Sequence, residues 1–343
     1  MIALQKVAPA FGLEYRDVAQ PKDPAPGEVI VAVGATGVCD TDIHIFEWTA
    51  GYEIMKPAMP VTLGHEFAGR IAAIGKNVKG LREGMQVAVR PSVVCGQCVR
   101  CRAGDGDNCT QRKSIGVTRD GALASHVRVP AENCVDVPDD MPIDIAALSE
   151  PMTVCAEAVD NAEISSGDRV LILGPGNIGQ GAALFARAAG AEVVVVGRGD
   201  DRRLASLARM GFTNLVDVGD RSMDEVLAPY LKDGKFDAVI ETTGAPSVVQ
   251  QGLDVLRKRG KLVVVGIHPK PVTIDLTRVV REHQQIRGSY RSPIPTWRRV
   301  VDFLDAHASI AAEMISHRVP LDKSVDGIEL SRSRGASKVL VVQ

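Results

Sequence analysis

The stretch that most constrains the fold is DRVLILGPGNIGQGAALFARAAGAEVVVVG, at residues 168–197. It has the pattern of an apolar strand, a glycine turn, an amphipathic helix and a second apolar strand. The turn fits the spacing GxGxxG at a strand-to-helix junction, where the backbone can approach a pyrophosphate at the helix N-terminus. The stretch therefore predicts a dinucleotide site, formed by Gly174, Pro175, Gly176, Asn177, Ile178 and Gly179.

Strands and helices continue to alternate after this stretch. FDAVIETTG, a helix through LDVLRKR and the strand GKLVVVGIH follow in turn. This alternation predicts an α/β fold with a doubly wound parallel sheet, that is, a Rossmann domain. Thr242 and Gly266 follow two of its strands and are further candidates for cofactor contacts.

The N-terminal part has a different pattern of apolar and turn residues. Short apolar runs separated by turn residues predict a β-rich domain, a partly open barrel, with no helical period over a useful window. A length of 343 residues suits two domains. We expect a catalytic domain over 1–153, a dinucleotide domain over 154–291, and a return of 292–343 to the first domain. The active site is expected in the cleft between them.

The stretch GVCDTDIHIFEWTAGYEIMKPAMPVTLGHE holds the candidate catalytic residues. Cys39, His65 and Glu66 offer the thiolate, imidazole and carboxylate that bind zinc with an open fourth position. Thr41 and His44 could carry a proton away from a reacting oxygen. Taken alone, residues so spread are more often ordinary core or surface residues, and the hypothesis depends on the rest of the chain.

Four of the seven cysteines fall within fifteen residues, as CxxCxxC, seven residues and a last cysteine. Tight turns of this spacing let successive sulfur atoms point into one tetrahedron. Four thiolates leave no open position, so we predict a structural zinc ion that orders a polar lobe at about 91–112. Its ligands would be Cys95, Cys98, Cys101 and Cys109. Redox cysteines are the alternative.

Composition excludes several classes of protein. The net charge is −2 without a long basic run, which argues against a nucleic-acid partner. No apolar run has the length of a membrane span, and the start of the sequence lacks the order of a signal peptide. We therefore expect no membrane partner and a cytoplasmic location.

The motifs GVCDTDIH, GHEFAG, the cysteine lobe and GPGNIG, in this order and at these intervals, resemble the zinc-containing medium-chain dehydrogenases of the alcohol dehydrogenase superfamily. The similarity covers essentially the whole chain. HIFEW resembles the threonine dehydrogenases, and IRGSYR at 286–291 resembles the sorbitol-type polyol dehydrogenases. The resemblance implies a GroES-like catalytic domain, a Rossmann domain and assembly into a homodimer or homotetramer.

The resemblance also assigns roles to residues. Cys39, His65 and Glu66 would bind the catalytic zinc, one of two zinc ions per chain. Glu150 would be a fourth ligand or a partner of the ligands, or else an ordinary carboxylate at a helix start. Thr41 would hydrogen-bond the substrate hydroxyl and His44 would continue the proton relay. Zinc lowers the pKa of the alcohol, and a hydride then passes to the nicotinamide.

The choice between NADP and NAD depends on the end of the second strand of the dinucleotide domain. Enzymes that use NAD place an acid there, whereas this chain has Arg198, with Arg203 a few residues on. Arginine suits a 2′-phosphate, so we favour NADP. Counting about twenty residues from the glycine motif instead reaches Asp200 or Asp201, which would favour NAD. Arg291 could reach the cofactor or the substrate, or lie in solvent.

The sequence departs from both branches. Glu157 stands where polyol enzymes have a histidine, and Ser92 stands where threonine enzymes have one, which argues against L-threonine as substrate. We predict a zinc-dependent oxidoreductase acting on a secondary alcohol of a polyol, sugar or sugar acid. Alternatives are an NADPH-dependent reductase of small ketones or aldehydes, an L-threonine 3-dehydrogenase-like enzyme, a zinc-free reductase and a redox sensor that binds dinucleotide without catalysis.

Overall fold

The computed structural model describes all 343 residues, which form two compact units. Unit 1 contains Met1–Glu150 and Trp297–Gln343, and unit 2 contains Pro151–Thr296. The domain boundaries predicted from the sequence follow residues 153 and 291, and the boundaries between the two units in the structure follow residues 150 and 296. Each unit buries its own apolar core. None of the helices combines the length and apolar character that crossing a membrane requires.

Unit 1 is rich in short strands. Before the junction its elements are β1 (Ile2–Lys6), β2 (Glu14–Asp17), β3 (Glu28–Gly37), α1 (Asp40–Glu47), β4 (Val61–Thr62), β5 (Glu66–Ile74), β6 (Gln86–Val89), β7 (Ser92–Val93), α2 (Val99–Arg102), β8 (Lys113–Ser114), β9 (His126–Pro130), β10 (Cys134–Asp136), α3 (Ile143–Ala146) and α4 (Ser149–Ala162), which crosses it.

Unit 2 alternates strands and helices. Its elements are β11 (Arg169–Leu173), α5 (Asn177–Ala188), β12 (Glu192–Gly197), α6 (Asp201–Arg209), β13 (Leu215–Asp217), α7 (Met223–Leu227), β14 (Phe236–Glu241), α8 (Pro246–Val255), β15 (Leu256–Val264), α9 (Leu276–Arg281), β16 (Gln285–Gly288) and the start of α10 (Ile294–Ala306). The chain then completes unit 1 with α11 (Ala308–Ala312), β17 (Ile315–Pro320), α12 (Ser324–Arg332) and β18 (Lys338–Val342).

The main sheet of unit 1 has seven strands. Six run in the order β10-β6-β5-β3-β18-β17, and β9 pairs with β3 off this path. The centre is β5-β3-β18, in which Gly37 pairs with Glu66 on one side and with Leu340 on the other. A strand from the C-terminal segment therefore lies beside strands from the first 75 residues. A three-stranded sheet, β2-β1-β4, and the pair β7-β8 complete the β-structure of this unit.

Unit 2 is built on a six-stranded parallel sheet in the order β13-β12-β11-β14-β15-β16. Its strands are apolar because helices cover both faces of such a sheet. Leu171, Val194, Val239 and Leu262 lie in its core and are almost fully buried. Strand order reverses between β11 and β14, and ligands of such sheets bind at the carboxyl ends of the strands on either side of the reversal. The predicted combination of a β-rich domain with a doubly wound sheet is confirmed.

Candidate active site

Three donor groups meet in unit 1 at the junction of α1 and β5. The ligand atoms of Cys39, His65 and Glu66 all lie within 4.8 Å of one another. Cys39 precedes the first turn of α1, His65 precedes β5 and Glu66 opens it. Gly37 makes room for this group, since a Cβ atom at that position would lie 2.2 Å from Glu66 Oε2. The sequence signal of a cysteine followed by a His-Glu pair thus corresponds to one buried cluster.

Asp42 is a member of the site that the sequence analysis missed. Its side chain is completely buried, and its Oδ2 accepts a hydrogen bond of 2.9 Å from the Cys39 N–H. Its Oδ1 lies 3.8 Å from His65 Nδ1 and has no hydrogen-bond partner, and neither does that nitrogen. Asp42 therefore fixes the Cys39 backbone and faces the imidazole of His65. The sequence signal was a second aspartate within CDTDIH.

Lys338 is a second residue that the sequence analysis missed. It opens β18 and is 3 % exposed, and its Nζ donates to Val38 O at 2.9 Å and to Glu66 Oε2 at 2.5 Å. The lysine reaches Glu66 across β3, the strand between β18 and β5. Because one carboxylate oxygen is engaged in this way, the other remains for a metal ion. A lysine before the apolar run VLVV was the available signal.

The charges of this cluster suit a divalent cation. Burial, together with Glu66, raises the pKa of Cys39 well above that of an ordinary thiol, and burial also raises the pKa of Asp42. Lys338 opposes the rise in the pKa of Cys39, and His65, followed by Lys338, opposes the rise in the pKa of Asp42. A thiolate, an imidazole and a carboxylate form a donor set of the kind that holds catalytic zinc with one open position. The residues therefore fit the predicted metal ion.

Glu150 lies in the first turn of α4, outside the three-atom group. Burial, opposed by His65 and reinforced by Glu66, raises the pKa of its carboxyl to about 7. The carboxyl is therefore within electrostatic range of the cluster, and its role as a fourth ligand stays a prediction. Thr41 and His44 lie three residues apart on α1, a spacing that places them on one helix face. His44 Nδ1 is buried without a partner, and its ring stacks on Tyr52.

The cysteine lobe forms a second cluster. The ligand atoms of its four cysteines lie within 4.8 Å of one another, and Cys101 Sγ lies 3.5 Å from Cys98 Sγ and 3.9 Å from Cys95 Sγ. Backbone N–H groups of Cys95, Cys98 and Cys101 point at neighbouring sulfur atoms. Such hydrogen bonds lower the pKa of Cys98 to about 5, whereas burial and the neighbouring Cys98 sulfur raise the pKa of Cys101 to about 12. The cluster therefore has a ready thiolate at Cys98, and thiolates are the form that binds zinc. Cys109 completes the set.

The glycine turn of unit 2 lies between β11 and α5. Gly174 has a φ of +108°, and a Cβ atom at Gly179 would lie 1.8 Å from Gly174 O. Gly176 is the N-cap of α5 and provides no side-chain cap, while Asn177 Oδ1 is buried without a partner. Open N–H groups at a helix N-terminus suit a phosphate. The Thr242 hydroxyl stabilises the turn: its Oγ1 donates to Leu173 O at 2.9 Å and to Gly174 O at 3.2 Å.

The residues that follow β12 bear on the choice between NADP and NAD. Asp200 Oδ2 accepts from the Arg198 N–H at 3.1 Å, and Oδ1 pairs with Arg203 Nη1 at 3.2 Å. Both oxygens of this partly buried carboxylate are thus engaged within the protein. The Arg198 side chain is exposed and makes no hydrogen bond or ion pair in the structure, whereas Asp201 opens α6 and is exposed. Arg291 follows β16, is exposed with a φ of +68°, and lies over the Tyr290 ring.

Comparisons with known proteins agree with this geometry. Residues 25–139 match the alcohol dehydrogenase GroES-like domain, and residues 177–306 match the zinc-binding dehydrogenase family. L-threonine 3-dehydrogenase of Rhizobium johnstonii is 32 % identical over 99 % of this chain and 98 % of its own. The chain belongs to the zinc-binding alcohol dehydrogenase family, as the motifs predicted. It is an oxidoreductase that acts on CH–OH donors.

Solved structures show the same architecture over the whole chain. One, from Sinorhizobium meliloti 1021, is described as a zinc-binding dehydrogenase bound to NADP; it is 31 % identical, has a TM-score of 0.90, and the match covers 100 % of this chain and 99 % of that one. Galactitol-1-phosphate dehydrogenase from Escherichia coli is 26 % identical, with a TM-score of 0.87 and complete coverage of both chains. The GroES-like and Rossmann folds are therefore confirmed.

The raised pKa of Glu150 gives a prediction for metal-free protein. The folded state binds a proton at Glu150 below about pH 7, and the unfolded chain only below about pH 4.5. Wild-type protein should therefore gain stability relative to Glu150→Gln as the pH falls through this window. We expect the variant to melt about 5 °C higher than wild type at pH 7, and equally near pH 4.5, in calorimetry of chelator-treated protein. Glu83→Gln, at an exposed position, is the control. A difference that does not change with pH would contradict the assignment.

Proposed function

We propose that the protein is a zinc-dependent, NADP-preferring dehydrogenase of a secondary alcohol, with the proton-transfer machinery on α1. The observation that carries the proposal is the group formed by the half-buried Cys39 and the buried His65 and Glu66, whose ligand atoms lie within 4.8 Å of one another. This donor set would hold a zinc ion, which when bound supplies a Lewis acid that lowers the pKa of an alcohol. The four cysteines of the lobe would hold a second, structural zinc ion.

The residues around the metal position have separable tasks. Lys338 holds one oxygen of Glu66 and so orients that carboxylate. Asp42 would accept the N–H of His65 Nδ1, which leaves the other ring nitrogen for the metal. Thr41 would accept the proton that the substrate hydroxyl loses, and His44 would pass it towards solvent. In unit 2, the glycine turn and the N-terminus of α5 would hold the cofactor pyrophosphate.

The substrate class has two candidates. The galactitol-1-phosphate dehydrogenase likeness favours a polyol, sugar or sugar acid. The relatives named L-threonine 3-dehydrogenase favour an amino alcohol, while Ser92, in place of the histidine of threonine enzymes, favours the first class. A working direction from ketone or aldehyde to alcohol uses the same residues. We also propose a cytoplasmic location, supported by seven cysteines that form no disulfide.

The first test removes one zinc ligand. Cys39→Ser should reduce turnover to the background rate and lower the zinc content from two ions per chain to one, while dinucleotide binding stays intact. Turnover is followed as NADPH or NADH absorbance with a panel of polyols, sugar acids, L-threonine and simple secondary alcohols. Cys134→Ser, at a cysteine outside both clusters, is the matched control. Full activity of Cys39→Ser, or dinucleotide binding without turnover of any substrate in wild type, would overturn the proposal.

Cofactor preference is tested at the end of β12. Arg198→Ala should weaken NADP binding about 10- to 100-fold by removing charge-assisted hydrogen bonds to the 2′-phosphate, and leave NAD binding nearly unchanged. Asp200→Asn is the comparison, because an acid that binds the ribose 2′-hydroxyl would instead be needed for NAD. Isothermal titration with both dinucleotides measures the change. A wild-type preference for NAD that Asp200→Asn removes would reverse the assignment.

The exposed edge of the parallel sheet supports a homodimer, or a homotetramer made of two such dimers. Strand β16 pairs only with β15, and Leu276, Val280 and Ile286 beside this edge are 64, 72 and 39 % exposed. Unpaired edge strands and exposed apolar side chains are features that association covers. Val280→Glu should halve the mass measured by light scattering, whereas Val99→Glu, at an exposed valine in the cysteine lobe, should not. An unchanged mass for Val280→Glu would rule out this face.

A further inference from the structure

Glu241 is a fully buried carboxylate at the carboxyl end of β14, and it has no role in the chemistry described above. Its Oε1 accepts hydrogen bonds from Thr243 N and Thr243 Oγ1, both at 2.6 Å, and from Gly244 N at 2.8 Å. The loop that follows β14 therefore folds around one carboxylate oxygen. A buried charge with this number of donors is held in one geometry.

The other carboxylate oxygen connects to the next loop. Glu241 Oε2 lies 3.2 Å from His268 Nε2, and the Glu241 carbonyl accepts from Val265 N and Gly266 N at 2.9 and 3.2 Å. The two loops are in close contact, since a Cβ atom at Gly266 would lie 2.3 Å from Gly244 N and 2.7 Å from Glu241 Oε2. The loops after β14 and β15 thus both contact the Glu241 carboxylate, and His268 is the side chain of the second loop that does so.

The tautomer of His268 follows from its partner. An ionised carboxylate only accepts hydrogen bonds, so His268 Nε2 carries the proton, and Nδ1 of the neutral ring has a lone pair. Nδ1 is buried and has no hydrogen-bond partner, while the side chain as a whole is 13 % exposed. An unsatisfied buried acceptor is costly. A ligand that offers an N–H or O–H group would remove this cost.

The position of this acceptor points to the ligand. Strands β14 and β15 follow the reversal of strand order, and Thr242 joins the same edge to the glycine turn. The glycine turn and the end of β12 take the pyrophosphate and the adenosine half of a dinucleotide. The loops after β14 and β15 then face the other half, the nicotinamide and its ribose. That half carries hydroxyl and amide donors.

We propose that His268 is a positioning residue for the nicotinamide half of the cofactor. Nε2 binds Glu241 and fixes both loops, and Nδ1 accepts a hydrogen bond from a hydroxyl of the nicotinamide ribose or from the carboxamide N–H. The proposal rests on the dinucleotide-binding function proposed above. It assigns to the pair Glu241–His268 a role in cofactor binding that neither the glycine motif nor the zinc site provides.

Two variants separate the two nitrogens of His268. The amide nitrogen of His268→Gln can take the place of Nε2 and donate to Glu241, but the variant has no acceptor at the position of Nδ1. His268→Asn retains a polar group near Nδ1 and loses the donor to Glu241. His283→Asn is the control. His283 is exposed and precedes β16, so it lies at the amino ends of the parallel strands, away from the loops that follow β14 and β15.

The measurement is cofactor binding by isothermal titration, without alcohol, for NADPH and for 2′,5′-ADP, which lacks the nicotinamide half. NADH and ADP replace them if the protein prefers NAD. We expect His268→Gln to weaken NADPH binding about tenfold, to leave 2′,5′-ADP binding unchanged and to keep the wild-type melting temperature. His268→Asn, which keeps a polar group near Nδ1 but loses the donor to Glu241, should lower the melting temperature and weaken NADPH binding less than His268→Gln does.

The outcomes distinguish this proposal from the function on which it rests. Wild-type binding of NADPH with equal binding by His268→Gln would overturn the role of Nδ1. Equal weakening of NADPH and 2′,5′-ADP by His268→Gln would also overturn it, because the effect would then be a general disturbance of the unit. If wild type bound no dinucleotide at all, the proposed function itself would fail.

Discussion

The cluster around Glu66 in unit 1 places two buried carboxylates and a thiol beside a single lysine, and the candidate active site depends on this imbalance. Asp42 and Glu66 are almost fully buried beside the half-buried Cys39 thiol, and the buried Lys338 is the one lysine that faces them. Burying an unpaired carboxylate costs several kcal/mol, and removal of one partner of a buried pair costs about 3–5 kcal/mol. A divalent cation held by the ligand atoms of the cluster would be stabilised by this excess of acidic groups, because the thiolate and carboxylate would then face a positive charge that one lysine does not provide.

The route of the chain explains how one lysine reaches this position. Lys338 belongs to β18, the last strand, and Glu66 to β5, and β3 lies between them. The middle strand presents Gly37 at the crossing, so the carboxylate and the ammonium group meet over a residue without a side chain. The return of the C-terminal segment to unit 1 therefore has a chemical consequence as well as a structural one: it supplies the cation that orients a predicted metal ligand.

Sequence reasoning found the parts that are written in contiguous motifs. The glycine turn, the four cysteines and the group of Cys39, His65 and Glu66 have spacings fixed by local backbone geometry or by metal coordination, so a short window contains the signal. Asp42 was missed although it lies inside one of these motifs, three residues from Cys39. Lys338 and His268 were missed for a different reason. Lys338 is 272 residues from Glu66, and His268 is 27 residues from Glu241. Their pairing results from strand order and register, which the motifs do not encode. Arg198 lies between these cases, since the sequence offered both an arginine and two aspartates, and only the hydrogen bonds of Asp200 showed that this carboxylate is already engaged.

Buried carboxylates serve three different purposes in this protein, and their partners decide which. Glu66 has one cationic partner and a neighbouring thiol, so one of its oxygens remains for a metal ion. Glu150 has a pKa raised to about 7 by burial, so near neutral pH its protonated and ionised forms are balanced and a nearby cation would favour the ionised form. Glu241 receives three hydrogen bonds on one oxygen and a histidine on the other, which leaves it no capacity for a ligand. Because both oxygens of Glu241 are hydrogen-bonded, this residue has a structural role. The nearby polar atom without a hydrogen-bond partner is His268 Nδ1. The same type of side chain would thus bind a metal ion where one oxygen lacks a partner, and it shapes a loop where both oxygens are hydrogen-bonded.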